Sequence, residues 1–411
     1  MSTAVTVMIC VIAVCAFLLL WVEGVLKSTR SMMIALFCLG AAFCLRILCL
    51  NHETLDYQNF LSHWVAYFRS YGGFAALGGS VGNYNVPYLY CLAFFSQLKV
   101  PDLYLIKLLS IMFDVVLAWA SMKLVSIFTE SDGKKLFTFL AVMLLPTVIL
   151  NGAYWGQCDS IYVAFAVMSI WLALSNRPVA SMVAIAFSFA FKLQAVFVMP
   201  LFLVLWYTGK FKLRHFVVFP LTYIVIILPA VMNGKPFIDT LTLYFSQTDT
   251  IGSGLNYNSP SVFAFARNVT DTELFSKLGI AAAFLFLSLI FIWLFIKRSK
   301  VSNRVILSAA VLMAVGVPFF LPHMHDRYFF AADILSLIFA VAVPAYFPVP
   351  VFASFASLLG YHAYLRMRYL LPMSYGSVAL IVVMALLIAD IFLQLRAVPP
   401  GADANPAPSP T

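Results

Sequence analysis

Charge is the scarcest property of this chain. Only 10% of its 411 residues are Asp, Glu, Lys or Arg, against about a quarter in a typical soluble domain. So little polar side chain excludes an ordinary soluble globule of this length. Cysteines number seven, and no CxxC pair occurs. That odd, unpaired set argues against a disulfide framework and against a thiolate zinc site. Cys10, Cys15, Cys38, Cys44 and Cys49 lie in apolar runs, where a small thiol is ordinary packing; Cys91 and Cys158 fall in expected outer loops. The amino-terminal run has no basic leader and no clear cleavage site, so it reads as a membrane span and not as a signal peptide. No fixed-period repeat is present.

What the chain does have is apolar sequence, 63% of it, spread from end to end. A helix needs roughly 20 apolar residues to cross the hydrocarbon core. Clear candidates are 3–22, 31–50, 103–126, 215–232, 274–296, 303–321, 327–346 and 374–396. Shorter ones are 136–151, 160–175, 178–191, 194–208 and 347–363. The expected fold is therefore all-α, a polytopic bundle of about thirteen spans in one domain over 1–397. The Pro/Ala-rich tail 398–411 is expected to be disordered.

The formal charge of +9 points first to basic cytoplasmic loops and not to nucleic acid. Lys27 and Arg30, Lys134 and Lys135, Arg177, then Lys210, Lys212 and Arg214, then Lys297, Arg298, Lys300 and Arg304 mark five loops. All five share one side if 51–102 stays wholly on the other. The segment 86–98 is then an interfacial helix and not a span. The opposite, extracytoplasmic side receives 51–102, with an amphipathic stretch from Asp56 to Tyr71, the polar loop 233–273, and a short turn at His323–Tyr328.

Ionisable groups at membrane depth are costly, so each is a functional candidate. Asp56 opens a helix, where it reads either as an N-cap or as a general base just above the bilayer. His52, Glu53 and His63 lie close by. Asp159, in Trp155-Gly156-Gln157-Cys158-Asp159-Ser160, also suits a cap. With Tyr154, Trp155 and Gln157 it equally suits a sugar platform. Lys192 and Gln194 interrupt the apolar stretch 180–207, which is too long for one comfortable span. Lys192 is either a snorkelling lysine or a cation for a lipid-linked phosphate. In Pro322-His323-Met324-His325-Asp326-Arg327-Tyr328, HxH is a weak metal signal without a third ligand, and the planar fork of Arg327 matches phosphate. Asp333 is placed to orient Arg327, and Asp114 must face the protein interior.

Taken in order, Asp56 with His63-Trp64, Asn85-Val-Pro-Tyr-Leu-Tyr, Pro146 and Asn151 leading to WGQCDS, Lys192-Leu-Gln194 and HMHDRY resemble the GT-C superfamily of membrane glycosyltransferases. The Gpi18-like mannosyltransferase group, related to PIG-V, is the nearest likeness. Val86-Pro87 stands where that group often shows Pro-Pro. The resemblance covers about 46–330. It implies a polyprenyl-phosphate sugar donor, mannose first, a glycan or glycolipid acceptor, and Asp56 as the catalytic base. It implies a bacterial-type plasma membrane, or the endoplasmic-reticulum membrane in a eukaryote. Lys192 and Arg327, with His323 or His325 assisting, would bind the donor phosphate. Tyr154, Trp155, Gln157, Asp159 and Gln194 would line the sugar or acceptor site. No cofactor is expected, and a divalent metal stays open. A transporter or flippase for a lipid-linked sugar is the alternative, although no symmetric pair of halves is visible.

Overall fold

The computed structural model describes residues 2–244, 252, 254–266 and 269–397. The expected disordered tail and parts of the 233–273 loop lie outside them. Helices α1 (Thr3–Val22) and α2 (Thr29–Cys49) form a hairpin. The Ser28–Ser31 capping box starts α2 by satisfying amides that have no partner in the first turn. The 51–101 segment holds a π-helix (Tyr57–Leu61), α3 (Ser62–Ser70) and α4 (Val86–Phe95). Then follow α5 (Asp102–Val125), α6 (Asp132–Leu144), α7 (Pro146–Ile149) and a second π-helix (Leu150–Trp155). Next come α8 (Asp159–Leu174), α9 (Pro178–Phe191), α10 (Leu201–Tyr207), α11 (Leu213–Phe216), α12 (Val218–Met232) and α13 (Phe237–Leu241). The chain closes with α14 (Thr272–Ile296), α15 (Asn303–Phe320), α16 (Phe330–Ala342), α17 (Pro348–Leu365) and α18 (Met373–Ala397). One two-residue parallel pairing, β1 (Asn256–Tyr257) with β2 (Met324–His325), is the only sheet among the described residues.

Seven of the described helices are long and apolar enough to cross a membrane, or eight if the bent pair Asp132–Leu144 and Pro146–Trp155 is one span. They coincide with seven of the eight clear candidates. The eighth, 327–346, holds a shorter helix than its apolar length suggests. Helix α16 has 13 residues, about 20 Å of rise against a core of about 30 Å. It stops where Val343 leaves the helical region (φ −131°, ψ 82°) and Pro344 follows, since proline disfavours helix in the residue before it. The 180–207 run breaks as expected: α9 ends at Phe191, Lys192 is extended (φ −156°, ψ 133°), and a 3₁₀ turn follows.

Helix α15 is almost wholly buried, whereas α1, α12 and α14 leave most of their apolar side chains exposed or only partly buried. Such an apolar exterior suits lipid and not water. Lys27 pairs with Asp132, and Lys123 with Glu23. These contacts tie the loop before α2 and the loop before α6 to one end of the bundle. At the other end α4 is anchored on α12. The Tyr90 hydroxyl donates to the Ile226 carbonyl at 2.9 Å and accepts from the Ala230 amide at 3.1 Å. It thereby replaces a helical bond next to Pro229, a common cause of a kink.

Membrane-depth charges pair internally. Arg46 Nε and Nη2 donate to Asp114 Oδ2 at 3.0 and 2.9 Å, and Nη1 donates to the Met143 carbonyl at 2.7 Å. Asp114 Oδ1 accepts from Ser160. Asp114 thus faces the interior as hydrogen-bonded structure. Lys107 Nζ donates to the carbonyls of Cys49, Leu50 and His52. It closes the C-terminal end of α2, where carbonyls lack helical partners, and so fixes the start of the segment that carries Asp56.

Candidate active site

Asp56 is not a cap. Its backbone is helical and its carboxylate makes no capping hydrogen bond. The carboxylate instead receives three side-chain donors. Trp155 Nε1 and Gln157 Nε2 donate to Oδ2 at 2.8 and 2.6 Å, and the Tyr364 hydroxyl donates to Oδ1 at 2.6 Å. Two π-helices adjoin this group: one begins at Tyr57, directly after Asp56, and the other ends at Trp155; such bulges are frequent at functional sites. The turn after Trp155 depends on Gly156 at φ 83°, which costs little only for glycine. From there the Gln157 amide bonds to the Asn151 carbonyl at 2.9 Å, which aims the Gln157 side chain back at Asp56. Thr54 Oγ1 donates to the Trp155 carbonyl at 3.0 Å, so the two segments are locked together.

Beyond Gln157 and Trp155 lie the cations. Tyr84 donates to Gln157 Oε1 at 3.2 Å, and Lys192 Nζ stands 5.6 Å from the Tyr84 ring centre. Arg327 sits 5.1 Å from the Trp155 ring centre, a cation–π distance. Asp159 lies between the two cations. Its Oδ1 pairs with Lys192, and its Oδ2 is 3.8 Å from Arg327 Nε and accepts from Asn151 Nδ2 at 2.7 Å. Asp159 is the first residue of α8, and no side-chain cap bond is made there. Arg327 Nη1 is also 3.6 Å from Asp326 Oδ1. Yet Arg327 Nε, Asp326 Oδ1 and Gln194 Oε1 are buried without a hydrogen-bond partner. Buried polar atoms are usually satisfied, so this corner offers free donors and acceptors. Carboxylate 56, Lys192 and the 323–328 turn thus share one site.

Not every residue singled out from the sequence presents a free surface. The Trp155 ring is stacked on Tyr364 at 4.3 Å and carries Arg327 as well. Tyr154 stacks on His52 at 3.9 Å. His323, at φ 61°, donates Nδ1–H to the Gly254 carbonyl at 2.8 Å, and its Nε2 lies 3.2 Å from Ser276 Oγ. Both nitrogens are engaged, and they tether the 254–258 segment and α14 to the turn. His325 stacks on Tyr257 at 4.7 Å. Burial, with Arg327 next, pulls its pKa down to about 4, so the ring is neutral near pH 7. Burial pushes the Asp326 carboxyl up to about 7 against the opposing pull of Arg327.

Asp333 does not orient Arg327. Its Oδ1 accepts from Ser357 at 2.9 Å and its Oδ2 has no hydrogen-bond partner. Arg327 lies in the turn that precedes α16, whereas Asp333 lies in the first turn of that helix and meets Ser357 of α17. Tyr84 and Tyr364 were missed. Tyr84 sits just before the quoted Asn85 motif, and its polar tip in an aromatic run was the available signal. Tyr364 lies far along the chain in an undiagnostic segment, with no local signal. Among the described residues no three His, Cys, Asp or Glu side chains are grouped to hold a metal.

An apolar helical bundle with a carboxylate, two cations and unsatisfied polar atoms in one cluster has the makings of a membrane transferase. The family model of glycosyltransferase family 87 matches residues 83–322. That is more than half of the chain, and the chain belongs to glycosyltransferase family 87. It is therefore a membrane glycosyltransferase that takes a sugar donor and an acceptor. The match is to family 87 and does not extend to the Gpi18-like group that the motifs resemble. It includes Tyr84, Trp155, Gln157, Asp159 and Lys192 and leaves out Asp56, the 323–328 turn and Tyr364. No match was found among curated proteins.

Proposed function

We propose that the protein moves a hexose, mannose first, from a polyprenyl-phosphate carrier to a hydroxyl of a glycan or glycolipid, with inversion at the anomeric carbon. The observation that supports this most is the arrangement around Trp155 and Gln157: Asp56 on one side, Lys192 and Arg327 on the other. In the proposed step the acceptor O–H gives its proton to Asp56. Its oxygen bonds to the anomeric carbon, and the bond from that carbon to the phosphate oxygen breaks. The electron pair leaves with the phosphate. A phosphate is already a good leaving group, so one carboxylate base is sufficient. Fixed cations meet the charge that develops on the departing group. Inverting glycosidases need a second carboxyl because they expel an alcohol. Lys192 and Arg327 take the phosphate, with His325 beside them. Gln157, Gln194 and Asp159 read sugar hydroxyls, Trp155 and Tyr154 wall the site, and His323 holds the turn in place. The step is written without a metal.

The chain would cross the membrane about thirteen times, each shorter helix, α16 among them, making one crossing together with its flanking residues. The five basic loops would be cytoplasmic and the site extracytoplasmic. The test is transfer by purified protein in proteoliposomes, given a radiolabelled polyprenyl-phosphate hexose and a glycolipid acceptor. The expected result is labelled acceptor in the inverted linkage. Label that crosses the bilayer still attached to its lipid would favour a flippase. Transfer only from a diphosphate carrier would contradict the donor class.

A further inference from the structure

An ionised carboxylate has about four lone-pair positions in its plane. In Asp56 three are occupied. Oδ2 accepts from both Trp155 and Gln157, whereas Oδ1 accepts only from the Tyr364 hydroxyl. One position, on Oδ1, is left open. We propose that Asp56 Oδ1 is the atom that takes the acceptor's proton, and that Tyr364 is the positioning residue that holds this oxygen toward the acceptor. The inference rests on the assignment of Asp56 as base and narrows it to one atom and one supporting side chain.

Tyr364 is built for the task. It lies in the last turn of α17, its ring stacked on Trp155 at 13°, so two of the three donors to Asp56 brace each other. Three residues earlier on the same helix, a spacing that puts side chains on one face, Tyr361 meets Trp155 edge-on. Its hydroxyl accepts from the Asn151 amide that also bonds to Asp159. One helical face therefore supports both the Asp56 side and the Asp159 side. Gly360 lets that face come close: a Cβ there would lie 2.6 Å from the Asp326 carbonyl oxygen and 3.0 Å from that of Asn258, so any larger residue would push α17 out. The proton ledger stays simple. The acceptor's proton moves to Oδ1 as its oxygen bonds to the anomeric carbon, and the phosphate leaves with the electron pair. Tyr364 keeps its own proton throughout.

The test compares Tyr364→Phe, Tyr364 replaced by 4-aminophenylalanine, and Asp56→Asn in the same transfer assay. Phenylalanine keeps the ring on Trp155 and removes only the donor. A kcat lower by about 10- to 100-fold is expected, the rate equivalent of one hydrogen bond to a charged acceptor, with both KM values within about twofold. The amino variant restores a donor at the same place and should recover most of the turnover. Wild-type kcat in Tyr364→Phe overturns the inference, as does a loss carried by KM alone. So does a loss shared equally by the amino variant, which would mark a merely structural ring. If Asp56→Asn is inactive while Tyr364→Phe is fully active, only this inference falls. If Asp56→Asn is fully active, the assignment of the base beneath it falls too.

Discussion

Removing Lys192 should damage stability and catalysis together, and restoring neutrality at Asp159 should repair only the first. Lys192→Met leaves Asp159, 2% exposed, with Asn151 at 2.7 Å and Arg327 at 3.8 Å as its remaining partners. Unit charges about 4 Å apart interact by about 4 kcal/mol at an effective dielectric of about 20. Breaking a buried pair from one side costs about 3–5 kcal/mol. Arg327 still faces the carboxylate, so the expected loss is at the lower end, about 3 kcal/mol. Asp159→Asn keeps the shape and the bond from Asn151 and removes the stranded charge. The double variant Lys192→Met/Asp159→Asn should therefore regain all but about 1 kcal/mol, as neutral replacements of buried pairs do. Its kcat/KM for the lipid donor should stay about 10- to 100-fold low, the worth of a charged hydrogen bond to phosphate. Thermal unfolding in detergent and transfer from radiolabelled donor read the two quantities. A double variant as unstable as the single one would refute the charge argument. One with wild-type donor kinetics would refute the role of Lys192 at phosphate.

Four further outcomes follow from individual contacts. The Asp326 carboxyl, raised to about 7 by burial, holds a proton in the folded state that the unfolded chain has released above about 4. Stability should therefore fall as pH climbs from about 4 through 7. Donor KM should rise above neutrality, as the ionised carboxylate competes for Arg327; Asp326→Asn should flatten both profiles, and an unchanged KM profile would contradict this. Arg46→Met should cost about 3–5 kcal/mol by stranding Asp114, and Arg46→Met/Asp114→Leu should recover most of it in thermal unfolding. Gln157→Leu takes one donor from Asp56 and should lower kcat by about 10-fold or more, while Asp333→Asn leaves donor kinetics unchanged because Asp333 contacts Ser357 and not Arg327.

Local signals carried much of this architecture. Apolar length located the long helices, since span length is set by bilayer thickness. The polar break at Lys192 marked where α9 ends, whereas the turn that Gly156 completes in left-handed backbone came only with the structure. Residues 327–346 read as a full span because composition does not register the stop that Pro344 enforces. The cap reading of Asp56 failed because what binds its carboxylate lies about 100 and 308 positions away in sequence. Separation in sequence likewise hid Tyr364 and the Arg46–Asp114 pair, 68 positions apart. The sequence marked Lys192 and Arg327 as candidate cations but not the Asp159 carboxylate between them, because such a pairing exists only once α8, α9 and the 323–328 turn have met.

The most direct measurement is sugar transfer by purified Asp56→Asn protein beside its binding of the polyprenyl-phosphate donor. The account predicts that transfer disappears while folding and donor binding persist, because only the proton acceptor has been removed. Transfer at the wild-type rate by that variant would contradict it.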